Sequence, residues 1–423
     1  MIQLINKFKI TGLLVLSALL VCFSSCNKDL EQFTEQPLIP PSGLALGETI
    51  AATPGDSLYY RLIVKSGMLP VINNKTASYT MFVPDNTGMK IFINAISGGA
   101  VPLAAPDAVF SGFITANIPA ASAAGIVSYN TISQTITSAK VPASFPNFQL
   151  PTQIILPQAP PVNSFIRLTT FPAAVTQLAY VNNIPVTAID APAANGVIHH
   201  VYTVVAPPTT VLAGLIYPDP DLSYFSAAIA RGDSGQVGLN RFDSLFKYGV
   251  TNMTVLAPNN AAFQTLIYGT AYGFALSQGA PPALADAQGK GAVALGPGIF
   301  TNPAFFGLLP AASVRGILAY HILASNSSGS YKPDIRVFSV NFKATNPPGF
   351  VKTLVNGAVA AHPGILVQPT FTGPAVTSLK FTGLGTFPPG GTFYSGTAAT
   401  AVSMDKHAVN GVLHIIDNVL LPQ

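Results

Sequence analysis

The chain has 423 residues, of which 9% are charged and 49% apolar, against about 25% charged in an ordinary globular protein. Its formal charge of +4 comes with no basic run and no interleaving of aromatic and basic residues, which argues against nucleic acid as a partner. A mean hydropathy of +0.45 would suit a membrane protein. Beyond residue 23, however, every stretch of helical length is broken by Pro, Gly or polar residues, so no further transmembrane helix is expected.

Taken in chain order, residues 1–25 read as a secretory signal. Lys7 and Lys9 form a positive n-region, and Ile10 to Phe23 form an uncharged apolar run. That run is shorter than the ~20 residues a bilayer span needs and fits a signal h-region. It ends in Phe23-Ser24-Ser25-Cys26, which resembles a bacterial lipobox and makes Cys26 the expected lipidation site. Loss of Cys22 with the signal then leaves no disulfide, thiol nucleophile or cysteine-ligated zinc site in the mature chain. Residues 26–47 read as a lipidated tether, acidic at Asp29, Glu31 and Glu35. The expected location is an outer-membrane lipoprotein at the cell surface, with the periplasmic face as the alternative and the lipid anchor as the membrane contact.

The rest of the chain repeats. Thr80-Met81-Phe82-Val83-Pro84-Asp85-Asn86 is echoed by Thr254-Val255-Leu256-Ala257-Pro258-Asn259-Asn260. Ile126 to Asn130 is echoed by Ile317 to His321, and Asn195-Gly196-Val197-Ile198-His199 by Asn410-Gly411-Val412-Leu413-His414. The offsets grow from 174 to 191 to 215, which predicts two homologous domains, 48–207 and 208–423, with insertions in the second. Tyr268 to Phe300, rich in Ala and Gly, reads as a mobile loop or marginal helix, and Gly373 to Gly396 as a turn-rich excursion.

Each copy opens with helices. In the first, Asp56 or Ser57 starts a helix carrying Tyr59, Leu62 and Ile63 and stopping at Gly67. In the second, Asp221 is positioned to cap a helix with Leu222, Phe225 and Ile229 on one face. A further helix there carries Phe242, Leu245 and Phe246 and stops at Gly249. A buried strand ending in Pro-Asp/Asn-Asn follows in both copies. Val314 to Tyr320 reads as helix, and the remainder as strands closing in Val412 to Leu421. Helices grouped ahead of strands predict an α+β fold.

These blocks resemble fasciclin domains. Residues 254–263 resemble the family's first block, 319–323 its Tyr-His motif, and 410–422 its closing block. The first copy departs at Asn130, where His is expected, and at Tyr202, where Asp is usual. The resemblance implies two tandem domains, each a wedge of β-strands packed against several α-helices. It also implies an adhesion role with protein, matrix or polysaccharide partners. Carried onto this chain, the Tyr-His motif makes Tyr320 and His321 candidate partner-binding residues, although the residues themselves favour a packed tyrosine and a hydrogen-bonded core histidine.

Catalytic patterns are missing from the sequence. The three glutamates, Glu31, Glu35 and Glu48, lie in or beside the tether, leaving aspartate alone for any paired-carboxylate chemistry. Asp219 and Asp221 flank a proline and read as helix caps. His199-His200 would point to opposite strand faces, and no zinc motif or serine elbow occurs. Asp405-Lys406-His407 reads as a solvated group before the last strand. No catalytic, metal or cofactor residues are therefore expected. The leading reading is a binding protein for extracellular protein or cell-surface ligands. The alternative is glycan capture beside an outer-membrane uptake system, which would use exposed tyrosines such as Tyr217, Tyr224, Tyr268, Tyr272, Tyr331 and Tyr394.

Overall fold

The structure, a computed structural model, describes residues 41–156, 166–175, 177–327, 329–342, 349–385 and 398–422. The expected signal, Cys26 and the tether up to residue 40 lie outside these residues, as do Tyr394 and the 386–397 part of the second expected insertion. From Ser42 onward the chain forms one compact unit. Among the described residues no single helix is long and apolar enough to cross a membrane.

The first domain opens with helices α1 (Leu46–Ala52), α2 (Ser57–Ser66) and α3 (Leu69–Ile72). Strand β1 (Tyr79–Pro84) follows, then α4 (Asn86–Ile96), α5 (Asp107–Asn117) and α6 (Ala120–Tyr129). Short strands come next: β2 (Thr131–Ile132), β3 (Leu150–Ile155), β4 (Arg167–Thr170), β5 (Pro172–Ala174) and β6 (Leu178–Val181). Two longer ones, β7 (Ile184–Ala193) and β8 (Gly196–Val201), close the domain. Helix α2 buries Leu58, Tyr59, Leu62 and Ile63 on one face and ends at Gly67, whose φ of 71° is left-handed, a conformation that costs a residue without a Cβ nothing.

The second domain repeats this order. It has α7 (Leu212–Ile216), α8 (Ser223–Gly232), α9 (Phe242–Lys247), β9 (Met253–Pro258), α10 (Asn260–Ser277), α11 (Pro282–Ala294) and α12 (Ala311–Tyr320). A hairpin of β10 (Ser325–Ser327) and β11 (Ser330–Lys332) follows. The domain ends in β12 (Gly349–Val351), β13 (Ile365–Thr372), β14 (Ala375–Thr382), β15 (Ala398–Ala408) and β16 (Gly411–Ile416).

Each sheet is organised around one parallel pair that joins its first and last long strands. β1 runs beside β8 with Tyr79 opposite Gly196 and Pro84 opposite Val201. β9 runs beside β16 with Met253 opposite Gly411 and Pro258 opposite Ile416. The first and third repeated blocks are therefore neighbours in space, and everything between them is the crossover a parallel pair requires. β1, β9 and β16 are buried along their whole length, so they read as continuous apolar runs rather than alternating ones.

The pleat divides the core of each domain. Met81, Val83 and Ile198 join the helices on one face, while Phe82 and Val201 join Tyr129, Ile132 and Leu150 on the other. In the second domain Val255 and Ala257 face the helices, and Leu256 and Ile416 face Tyr320, Val337 and Phe381. This is the α+β wedge, twice over.

Several local expectations are corrected. Residues 268–300 are ordered: α10 extends to Ser277, α11 packs against it, and a 3-10 turn at Gly296–Phe300 ends the insertion. Alanine is the best helix former, and small residues allow close approach; a Cβ on Gly289 would lie 2.7 Å from the Tyr268 ring. The described part of the second insertion, 373–385, is a turn at Gly373 with φ 59° followed by strand β14, which pairs with β13. Asp219, and not Asp221, is the cap, and it caps the 3-10 turn Pro220–Leu222 that leads into α8 by accepting from the Asp221 N–H. Helix α9 stops one residue early, at the extended Tyr248 rather than at Gly249.

Candidate functional site

The repeated blocks turn out to be a duplicated set of internal fasteners. Asn195 accepts from the Leu46 N–H and donates to the carbonyls of Ile72 and Asn74. Asn410 accepts from Leu212 and donates to Leu245, Phe246 and Tyr248. The glycine after each has no room for a side chain, since a Cβ would sit 2.0 Å from the Tyr79 carbonyl at Gly196 and 2.5 Å from the Met253 carbonyl at Gly411. In the first block, Asp85 and Asn259 cap the following helix. Asn86 and Asn260 accept from the Leu58 and Tyr224 amides at the start of α2 and α8.

A further pair was invisible in sequence. Asp190 and Asp405, both left-handed at φ 59°, accept from the backbone N–H and hydroxyl of Ser138 and Ser339. His199 and His414 complete the set, each accepting a backbone N–H at Nδ1, from Asp190 and Asp405, and donating from Nε2 to the carbonyl of Ile136 or Val337. Buried polar groups must be paired in this way because an orphan costs about 1–3 kcal/mol.

Tyr320 and His321 belong to the same internal set. Both are 0% exposed, which leaves neither available to touch a partner in this structure. The Tyr320 hydroxyl donates to Gly364, and burial pushes its pKa up to about 12. His321 Nδ1 donates to the Ile317 carbonyl at 2.8 Å, and Nε2 accepts the Leu420 N–H at 3.0 Å. That pairing requires the neutral ring, and burial lowers its pKa to about 4. At the matching place in the first domain, Asn130 is equally buried and donates to Ile126 and Val205.

The expected solvated group at Asp405-Lys406-His407 is also corrected. Asp405 is a fastener, Lys406 pairs with Asp219 at 3.1 Å, and His407 lies inside the junction between the domains. There Phe171 of the first domain meets Phe338 at 6.0 Å and His407 at 6.5 Å. Arg336, 3% exposed, stacks 4.6 Å over Phe171 and donates to His407 Nε2 at 3.0 Å and to the carbonyls of Ala408 and Val409. Burial, then the neighbouring guanidinium, holds the His407 pKa well below the usual imidazole range. Asn147 crosses the junction to the Arg336 carbonyl and to Asn341, and Tyr180 crosses it to the Pro374 carbonyl.

Beside this junction opens a cleft of about 450 Å³ shared by the two domains. Phe145 and Phe350, 46% and 48% exposed, come from opposite domains, and the lining includes Gln149, Asn326, Asp334 and Lys352. Phe145 is braced at 6.4 Å by Phe342. Exposed apolar rings with convergent polar groups are the usual makings of a binding surface, and this one is the candidate site. No sequence signal pointed to it, because Phe145 and Phe350 lie some 200 residues apart. Among the described residues no group of three or more His, Cys, Asp or Glu could hold a metal.

The described tyrosines considered for sugar stacking are spread over several elements. Tyr224 is buried, Tyr217 donates to Asp243 beneath Lys247, and Tyr268 stacks on Tyr272 along α10 while donating to Asp286. Tyr331 lies on the separate β10–β11 hairpin.

A family-wide model of the fasciclin domain matches residues 55–207. The parallel pair and the fasteners of that matched domain repeat after residue 208, so the chain carries the same arrangement twice. Among solved structures it is similar to a fasciclin domain pair from the insect cell adhesion molecule Fasciclin I, at 13% identity and a TM-score of 0.29, covering 87% of this chain and 97% of that one. No curated protein matches. Fasciclin domains generally serve in cell adhesion or binding.

Proposed function

We propose that this protein is a non-catalytic adhesion lipoprotein, anchored through Cys26 in the outer membrane and exposed at the cell surface, that binds protein or other cell-surface ligands at its interdomain cleft. The observation that carries the reading is the pair Phe145 and Phe350, held half-exposed on either side of a polar cleft. Contrasting with it, the repeated Asn, Asp and His residues are spent on internal hydrogen bonds. Apolar rings at a cleft mouth supply desolvation energy, and the polar lining supplies orientation. The same rings could lie against sugar faces, so glycan capture for an uptake system is the second reading.

The test is binding of the chain from residue 27 onward to immobilised cell-surface proteins and to a broad glycan panel. Saturable binding to proteins or cells, weakened by Phe145→Ala with Phe350→Ala, is expected. Glycan binding competed by free sugar would transfer the cleft to the second reading. Binding unaffected by the double substitution would remove the cleft from either.

A further inference from the structure

A second, smaller cavity of about 160 Å³ lies at the same junction, and its charge is one-sided. Arg167 lines it from the first domain and Arg336 from the second, and none of its described lining residues is Asp or Glu. Neither arginine forms an ion pair with a carboxylate among the described residues. Arg336 is the sharper case. Its Nη atoms reach only a neutral imidazole and two carbonyls, and its Nε is buried without a partner. Arg167 donates from Nη1 to the Gln153 carbonyl. A buried guanidinium with no counter-charge is an expensive arrangement unless an anion completes it, and its donor fork is shaped for oxyanions.

The rest of the lining agrees. Thr169 and Gln149 line the wall with side chains that can donate, while Thr251 gives its hydroxyl proton to the Leu245 and Tyr248 carbonyls. Asn252 has an unpartnered buried Oδ1, and a turn of that amide presents its NH₂ instead. The volume accommodates a carboxylate, sulfate or phosphate group. We propose that this cavity binds a small oxyanion between Arg167 and Arg336, tying the two domains together. The proposal does not rest on the adhesive reading, which concerns the larger cleft.

The group could arrive as a free ion or pendant on an acidic polymer, and thermal melting of the chain from residue 27 separates these. Sulfate, phosphate and acetate would be titrated at constant ionic strength against chloride, followed by a polyuronate. A saturable rise in melting temperature with at least one oxyanion is expected. Arg167→Gln should weaken that apparent affinity by about tenfold or more, as loss of a charge-assisted contact does, with little change in melting temperature in chloride. Tighter binding of the polyuronate than of acetate would identify a pendant carboxylate, and the reverse a free ion. No rise beyond chloride, or an equal rise in Arg167→Gln, would overturn the proposal. Arg336→Gln is the direct variant, and the half-buried Arg167 keeps the test decisive if that variant fails to fold.

Discussion

Acid should unfold the second domain through His321. Its ring is neutral in the folded state because Nε2 must accept the Leu420 N–H while Nδ1 donates to Ile317. Folding lowers its pKa from the ordinary 6.5 to about 4. The unfolded chain therefore binds the extra proton first, and stability is complete above pH 6.5, falls between pH 6.5 and 4, and levels off below. At about 1.36 kcal/mol per tenfold change in proton affinity, that interval corresponds to a loss of roughly 3 kcal/mol. Burial lowers the pKa of His199, His362 and His407 as well, whereas the Asp56 contact raises that of His200, so the His321 share has to be isolated.

The substitution for this is His321→Asn, the residue the first domain carries at Asn130. Urea unfolding at pH 8 and at pH 4.5, followed by tyrosine fluorescence because the chain has no tryptophan, gives the comparison. At pH 8 the variant should be less stable by about 1–3 kcal/mol, since the Leu420 amide loses its acceptor. Between the two pH values it should lose roughly 2–3 kcal/mol less than the wild-type chain. An equal loss in both proteins would refute the neutral, buried His321.

Three further outcomes follow from the packing. Asn410→Ala strands the Leu212 amide and three carbonyls and should cost about 2–4 kcal/mol in urea unfolding, with Asn195→Ala a parallel loss in the first domain. Gly411→Ala forces a Cβ to within 2.5 Å of the Met253 carbonyl, so β9 and β16 must separate; hydrogen exchange in β16 should accelerate by at least about tenfold. Phe145→Ala with Phe350→Ala removes half-exposed rings and should weaken ligand binding by about tenfold or more while shifting the melting temperature little.

The sequence by itself determined the duplication, the α+β class and the strands that end in Pro-Asp/Asn-Asn, because those depend on local pattern and on spacing repeated twice in one chain. It also picked out the polar residues that matter. His321 reads from sequence as a hydrogen-bonded core histidine, and the structure supplies its two backbone partners; the purpose of Asn410 is not legible until Leu212, Leu245 and Phe246 are seen around it. Asp405 reads from sequence as part of a solvated group because its left-handed backbone and its serine partner, 66 residues away, leave no local signature. Residues 268–300 read as a mobile loop or marginal helix because Ala and Gly carry no amphipathic stripe, and the helix alternative holds because small side chains let α10 and α11 approach. Both cavities were decided by tertiary structure alone. Each is built from residues of two domains, and no periodicity along the chain encodes which wall Arg167 or Phe145 will face once the domains meet.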